Sequence, residues 1–184
     1  GTATGKGKLQ IDLTWNPFNY FENGQSYIVI GYGISDRFDL HAYFANHSNY
    51  HNSVNSYYYG IFYQYLDSKY LDLATAFGKR KMLDLDYYHL FFPQFLYNIK
   101  LGKGYTIGGS LVTVSSKTKS FFPSKKDSWF AFDIALFIPI TNYLKNLKRI
   151  EEIKFGIGVF RTGLGKYHAT TPFRPTYSID IKFN

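Results

Sequence analysis

The sequence lacks cysteine altogether and has only 1 methionine and 6 prolines among its 184 residues. Without cysteine, a disulfide scaffold, a thiolate metal site and a cysteine nucleophile are all excluded. Charged side chains are scarce too, at 18% of the chain against about 25% in an ordinary soluble domain. We also find no cofactor-binding motif, and we expect no bound cofactor.

A long apolar run is missing as well. A transmembrane helix needs about 20 mostly apolar residues, and the longest candidate, residues 130–144, is broken by Asp133 and carries Pro139. There is no solenoid-type repeat and no interdomain linker, so residues 1–184 suit a single domain. Because the sequence begins at Gly1 without methionine, we expect that a signal peptide has been removed.

Aromatic residues are abundant instead. Phe and Tyr contribute 18 residues each, and aromatic residues make up 21% of a chain whose mean hydropathy is nevertheless negative, at −0.23. The chain also has 16 glycines. Many aromatic and glycine residues together with few charges are typical of β-barrels that span membranes.

Alternation with a period of two is the dominant pattern. In residues 9–15, for example, Leu9, Ile11 and Leu13 alternate with Gln10 and Asp12. Ten segments alternate in this way, and we predict ten strands, with 8 or 12 as alternatives. The segments are 9–15, 28–34, 38–44, 57–65, 71–77, 97–101, 107–111, 130–138, 153–159 and 177–183.

The connectors between these segments are alternately long and short. The short ones are 35–37, 67–70 and 102–104, with a longer 141–152; the long ones are 16–26, 46–56, 78–86, 115–127 and 161–175. Short periplasmic turns and long external loops are typical of outer-membrane barrels. The sequence therefore predicts an all-β, antiparallel, up-and-down transmembrane β-barrel in a bacterial outer membrane, with both termini in the periplasm.

The residue types on the two faces of the predicted strands indicate which face contacts water. One face holds Phe, Ile, Leu and Tyr, and the other holds Gly, Ala and charged residues. A soluble barrel would point the large set inward, but Gly would then make a poor exterior. We therefore expect the large apolar residues to face lipid. Charged and histidine residues are expected to line the lumen: Lys8, Asp12, Asp39, His41, Asp72, Lys100, Asp133, Lys154, Asp180 and Lys182.

The net charge of +8 is concentrated in the predicted external loops. These loops form an expected basic rim: Lys79, Arg80, Lys81, Lys117, Lys119, Lys125, Lys126, Arg161, Lys166 and Arg174. Besides outer-membrane lipid, the partners expected for such a rim are lipopolysaccharide phosphates, small anionic solutes or a surface partner protein. Nucleic acid is not expected, because the basic residues are placed on loops.

Histidines offer little chemistry in this chain. His47 and His51 are spaced as i, i+4, which binds zinc on a helix, but here they fall in a predicted loop poor in acids. Pairs such as His51 with Ser53, or His168 with Thr170, are neighbours in a loop and form no triad. We therefore predict no metal site and no enzymatic activity.

The segment Gly31–Leu40 (GYGISDRFDL) resembles a hairpin that recurs in the outer-membrane transporters of phenol-degradation pathways, the MetA-type family. The opening Gly5–Leu9 (GKGKL) is also similar. The resemblance implies passage of small, often hydrophobic solutes, and it carries over no functional residue.

Two functions fit these patterns. The first is a narrow channel or uptake barrel for small solutes. The second is a structural or adhesive barrel with a plugged lumen, whose basic external loops bind lipopolysaccharide, surface glycan or a partner protein.

Overall fold

A computed structural model describes residues 1–15, 24–48, 53–83, 87–89, 93–115, 119–120, 128–144, 148–164 and 173–184. Within these ranges, β-strands account for nearly all regular structure, and a short 3₁₀ helix follows one of them at Thr141–Tyr143. Among the described residues, none of the helices is long and apolar enough to cross a membrane.

Twelve strands follow one another along the chain. Their bounds are β1 Leu9–Trp15, β2 Gly24–Gly33, β3 Phe38–Ser48, β4 Ser53–Asp67, β5 Leu71–Met82, β6 Tyr87–His89, β7 Gln94–Gly102, β8 Tyr105–Ser115, β9 Lys119–Ser120, β10 Ser128–Pro139, β11 Ile150–Leu164 and β12 Arg174–Phe183.

Ten of these strands close into a barrel. Each long strand pairs antiparallel with the next long strand, and β1 pairs with β12, from Leu9 opposite Phe183 to Trp15 opposite Tyr177. The short β6 pairs with β5, and β9 pairs with β6. Closure leaves the ten-strand sheet without a free edge. The predicted ten-stranded, antiparallel, up-and-down barrel is confirmed.

The two ends of the barrel differ. At the turn end lie the short connectors after β2, β4 and β7, together with Lys8 and Asn184. The tightest of these turns is Gly102–Gly104, in which both glycines and Lys103 have positive φ angles. Short hairpin turns favour positive φ angles, because these match the twist of the two strands. The longer β10–β11 connector, which contains the 3₁₀ helix, lies at the same end, and the opposite, loop end carries the connectors after β1, β3, β5, β8 and β11.

Side chains alternate across the barrel wall as the sequence predicts. The apolar set points outward and stays exposed, with Leu40 at 50% and Tyr59 at 52% of their full accessible area. The inward set is buried, and Asp72, Ala74 and Ala76 are fully so. The barrel is thus apolar outside and polar inside, the reverse of a soluble barrel.

Several strands are longer than the alternation predicts. β5 continues through residues 78–82, because backbone ladder bonds with β4 persist past Gly78, which lies opposite Gly60. β3 and β4 likewise extend into the predicted loop 46–56. β11 and β12 extend at their loop ends to Leu164 and Arg174. These extensions correct the predicted loop bounds, since ladder bonds form between backbones and do not require alternating side chains.

Candidate functional site

The lumen contains the first residues of the chain. Residues 1–4 lie inside the barrel, and the chain then turns through Gly5 and Gly7, which have φ angles of 90° and 76°, before β1 begins. Backbone bonds fix the turn against β2: Gly7 N donates to the Gly33 carbonyl at 2.8 Å, and Gly33 N donates to the Lys8 carbonyl at 3.0 Å. We call residues 1–8 the N-terminal segment.

Polar side chains of the barrel wall hold this segment. Thr4 N donates to Asp39 Oδ2 at 2.8 Å, and Ala3 N donates to Gln64 Oε1 at 2.7 Å. Thr2 Oγ1 donates to Asp72 Oδ2 at 2.6 Å. It also lies 2.8 Å from the side-chain amide of Asn98. Four different strands therefore bind three consecutive residues.

An apolar seat completes the contact. Ala3 is only 7% exposed and packs in a cluster with Phe62, Ala74, Ala76 and Leu96. The inward alanines leave room for a backbone that side chains of larger volume would exclude. Asp39, Gln64 and Asp72 all lie near the turn end of their strands, so the N-terminal segment occupies the turn end of the lumen.

A cavity of about 340 Å³ lies in the lumen beside residues 1–4. Seven of the ten predicted lumen residues line it: Asp12, Asp39, His41, Asp133, Asp180, Lys154 and Lys182. The other three, Lys8, Asp72 and Lys100, lie nearer the turn end. The structure thus brings the predicted lumen residues together around one space and adds the N-terminal segment.

Ion pairs gather at the turn end. Lys8 Nζ lies 2.5 Å from Glu151 Oε2, and Lys182 Nζ lies 3.4 Å from the other oxygen of the same carboxylate. Lys154 Nζ lies 2.9 Å from Glu152 Oε2. Lys8, Lys154 and Lys182 therefore form ion pairs with Glu151 and Glu152. None of these pairs involves the aspartates that lie deeper in the lumen.

Lys100 connects the turn end with the N-terminal segment. Its Nζ lies 2.7 Å from Asp72 Oδ1 inside the barrel and 3.0 Å from Asp67 Oδ1 at the exposed β4–β5 turn. Hydrogen bonding to this ammonium holds the pKa of the Asp67 carboxyl below its ordinary value. One lysine therefore bridges a fully buried and a solvated carboxylate.

Some residues of the predicted basic rim lie in strands, and others fall outside the described residues. Lys79, Arg80 and Lys81 lie in β5, and Arg161 and Arg174 lie in β11 and β12, so these five residues are in strands and not in loops. Arg80 and Arg174 are each only 5% exposed. The backbone of Lys119 lies in β9. The remaining members fall outside the described residues: Lys117, Lys125, Lys126 and Lys166.

The histidines do not form one group. His41 lines the cavity, the backbone of His47 belongs to β3, and His51 and His168 fall outside the described residues. Across the described part of the chain, no three His, Asp or Glu side chains are grouped so that they could hold a metal ion.

Aromatic residues inside the lumen were not predicted as a site. Tyr43 and Tyr58 stack with ring centroids 5.0 Å apart, and His41 meets Tyr58 and Phe62 edge-on at 6.0 and 6.2 Å. Tyr27 lines the same cavity. The signal was present in the sequence, because each of these residues alternates with an outward-facing neighbour.

Comparisons with known proteins give little. No known protein family matches the sequence, and no curated protein matches it. Among solved structures, the chain is similar to the crystal structure of the N-terminal β-barrel domain of Pseudomonas aeruginosa OprF. That match has 9% identity and a TM-score of 0.37, and it covers 97% of this chain and 99% of that chain. The resemblance to MetA-type transporters stays a prediction.

Proposed function

We propose that the protein is a bacterial outer-membrane β-barrel that passes small solutes through its lumen, and that the N-terminal segment closes this path from the turn end. The observation that carries the proposal is the polarity of the barrel, which is apolar outside and polar around an internal cavity of about 340 Å³.

The outer surface supports the membrane assignment. Exposed apolar residues on neighbouring strands include Ile28, Ile30, Tyr32, Leu40 and Phe44. Each square ångström of such surface costs about 25 cal/mol in water, and a contiguous belt of this kind far exceeds the patches that soluble monomers expose. Lipid removes that cost, and closure of the sheet satisfies the backbone. The short turns, the start of β1 and the C-terminal end then face the periplasm, and residues 1–4 turn back into the lumen, which corrects the predicted periplasmic position of the N-terminus.

The lumen supports a solute path. Inward glycines and alanines keep side-chain volume low, and the walls carry hydrogen-bonding groups from every barrel strand. The N-terminal segment is held mainly by a few hydrogen bonds, of which those to carboxylates contribute about 1.5–3 kcal/mol each. Such a segment can leave and return without unfolding of the barrel.

An engineered disulfide tests this gate directly, because the chain has no cysteine of its own. A Cβ on Gly31 would lie 3.1 Å from Thr4 Oγ1, close to the about 3 Å that separates a Cβ from the far sulfur across a disulfide. We therefore expect Gly31→Cys with Thr4→Cys to lock the N-terminal segment in the lumen.

The readout is single-channel conductance in planar bilayers. We expect discrete steps from the reduced double variant, their loss on oxidation and their return with reductant. The Thr4→Cys single variant is the matched control, and oxidant should leave its steps unchanged. Conductance that persists after complete oxidation contradicts the gate.

The second function is a plugged structural or adhesive barrel, and the hydrogen bonds that hold residues 2–4 favour it. The same experiment separates the two. If neither the natural protein nor the reduced variant ever conducts in the bilayer, the solute path is wrong and the plugged barrel remains. Binding of the reconstituted protein to lipopolysaccharide vesicles would then be its first test.

A further inference from the structure

The lumen cavity has two chemically different walls. One carries the carboxylates of Asp12 and Asp180 on β1 and β12, with Asp133 on β10. The other, on β2–β4, carries the rings of Tyr27, His41, Tyr43 and Phe62, and the buried Tyr58 stacks on Tyr43. Tyr43 on β3 and Asp133 on β10 are half the barrel apart and lie on opposite sides of the cavity, whereas Asp12 lies on β1, directly beside β2.

The carboxylates of the acidic wall lie close enough to repel one another. Asp12 and Asp180 lie directly opposite each other on neighbouring strands, an arrangement in which like charges repel. Lys154 is opposite Asp180 in the ladder, but its Nζ pairs with Glu152. Among the described residues, none of Asp12, Asp133 and Asp180 makes an ion pair within 4.0 Å.

Asp133 is oriented rather than neutralised. Its Oδ1 accepts hydrogen bonds from the backbone N and the Oγ of Ser110. Asp12 Oδ1 accepts one from Gln10 Nε2 at 2.8 Å. These neutral donors fix the carboxylates in place without an ion pair. Lys154 and the N-terminal amine act on them from beyond 4.0 Å, so a cation from the lumen can still approach these carboxylates directly.

The aromatic wall suits the same ligand. The ring of Tyr43 lines the cavity and stacks on the buried ring of Tyr58 with an interplanar angle of 14°. A cation near such rings gains about 0.5–2 kcal/mol, and more when water is excluded. An aromatic ring of a ligand can also pack on Tyr43 in offset-stacked or edge-to-face geometry.

A further polar group independently indicates a ligand. Gln94 is only 9% exposed and lines the cavity, yet its Nε2 has no hydrogen-bond partner among the described residues. The Nδ1 of His41, also on the cavity wall, is likewise without one in the described part of the chain. Buried polar atoms without partners cost about 1–3 kcal/mol each, so a molecule that supplies hydrogen bonds here is stabilised.

We propose that this cavity is a binding site for a small ammonium compound that carries an aromatic ring. The ammonium group lies against the aspartates, and the ring lies against Tyr43 on the β2–β4 side of the cavity. The volume, about 340 Å³, is at the lower end of small-molecule pockets and fits one ring with a short chain. The inference rests on the proposed function, because it names the solute class for that path.

Binding can be measured without conductance. Isothermal titration calorimetry on the detergent-solubilised protein would use three probes of matched size: 2-phenylethylamine, 2-phenylethanol and phenylacetate. We expect the amine to bind about tenfold or more tightly than the alcohol and phenylacetate to bind weakest. Tightest binding of phenylacetate would assign the cavity to anions, through residues such as Arg80, and would overturn the proposal.

Variants locate the site. We expect Asp133→Asn, which keeps the size of the side chain, and Tyr43→Leu each to weaken amine binding about tenfold. Asp67→Asn, at the exposed β4–β5 turn, is the matched control and should bind as the natural protein does. Equal affinities for all three probes, or full amine binding by both lumen variants, contradict the proposal.

The two proposals fail separately. Amine binding without conductance in bilayers would retain the site and remove the solute path. Conductance without preference among the three probes would retain the path and remove the ligand class.

Discussion

Gly33 lies so close to the backbone of Gly5 that no side chain fits on β2 at this position. A Cβ built on Gly33 would overlap the carbonyl oxygen of Gly5. Gly33 also exchanges backbone hydrogen bonds with Gly7 and Lys8. The pair therefore couples the end of β2 to the position of the segment in the lumen.

The first prediction follows from this contact. We expect Gly33→Ala to displace residues 1–4, because the opposing atom is backbone and cannot move alone. Gly31→Ala is the matched control, since its Cβ would lie 3.1 Å from the end of the Thr4 side chain, which can rotate. The measurement is maleimide labelling of a Thr2→Cys reporter in folded protein. Equal labelling rates in both backgrounds would remove the role of Gly33.

The alternation in the sequence predicts most of the fold but not the N-terminal segment. Each barrel strand faces as its period-two pattern indicates, because lipid and lumen select opposite side chains at every step. Residues 1–8 have no period, so nothing in them predicts entry into the lumen. The only hint is that Gly5 and Gly7 have counterparts in Gly31 and Gly33, where two backbones can approach closely. That hint can be interpreted only once the structure shows residues 5–7 beside β2.

The candidate site could be predicted only in part for a related reason. Alternation places Asp12, Asp133 and Asp180 inside the barrel, but it does not say at which height along the lumen the side chains of opposite strands meet. That relation depends on how the closed sheet is staggered. The sequence alone places Arg80 and Arg174 in loops, because the alternation ends before them, although their strands continue through backbone pairing.

The second prediction uses the two carboxylates that share Lys100. We expect Asp72→Asn to lower the free energy of unfolding by about 1.5–3 kcal/mol, because Lys100 and the Thr2 hydroxyl lose a fully buried carboxylate, although Lys100 keeps Asp67. Asp67→Asn should cost no more than about 1 kcal/mol, since that pair is exposed. Urea unfolding of the protein in lipid vesicles measures both. Equal losses would mean that Asp72 does not anchor the N-terminal segment.

The third prediction tests the orientation of the wall with neighbouring residues. Ile30 is 44% exposed on the outer face, whereas Val29 faces the cavity and is opposite Asp12 in the ladder. A lysine facing lipid near the middle of the membrane costs about 2–4 kcal/mol, so we expect Ile30→Lys to destabilise the inserted barrel by this amount. Val29→Lys should cost less, because its ammonium can approach the Asp12 carboxylate. Unfolding in vesicles compares them, and the reverse order would contradict the assignment of the outer face to lipid.

The fourth prediction addresses the apolar seat of the N-terminal segment. Ala3→Asp would place a carboxylate among Phe62, Ala74 and Leu96, and it would also approach the acidic anchors Asp39 and Asp72. Burial of an unpaired charge is far more costly than the loss of a few hydrogen bonds. We therefore expect the segment to leave the lumen while the barrel stays folded.

Planar bilayer recordings should then show longer or more frequent openings for Ala3→Asp than for the natural protein. Lys6→Ala, in the exposed turn of the same segment, is the control and should leave the openings unchanged. A matched circular dichroism spectrum for both variants would show that the barrel itself is intact. If Ala3→Asp is folded, exposes residues 1–4 to labelling and still never conducts, the N-terminal segment is not the element that closes the lumen, and the closure must lie elsewhere along the barrel.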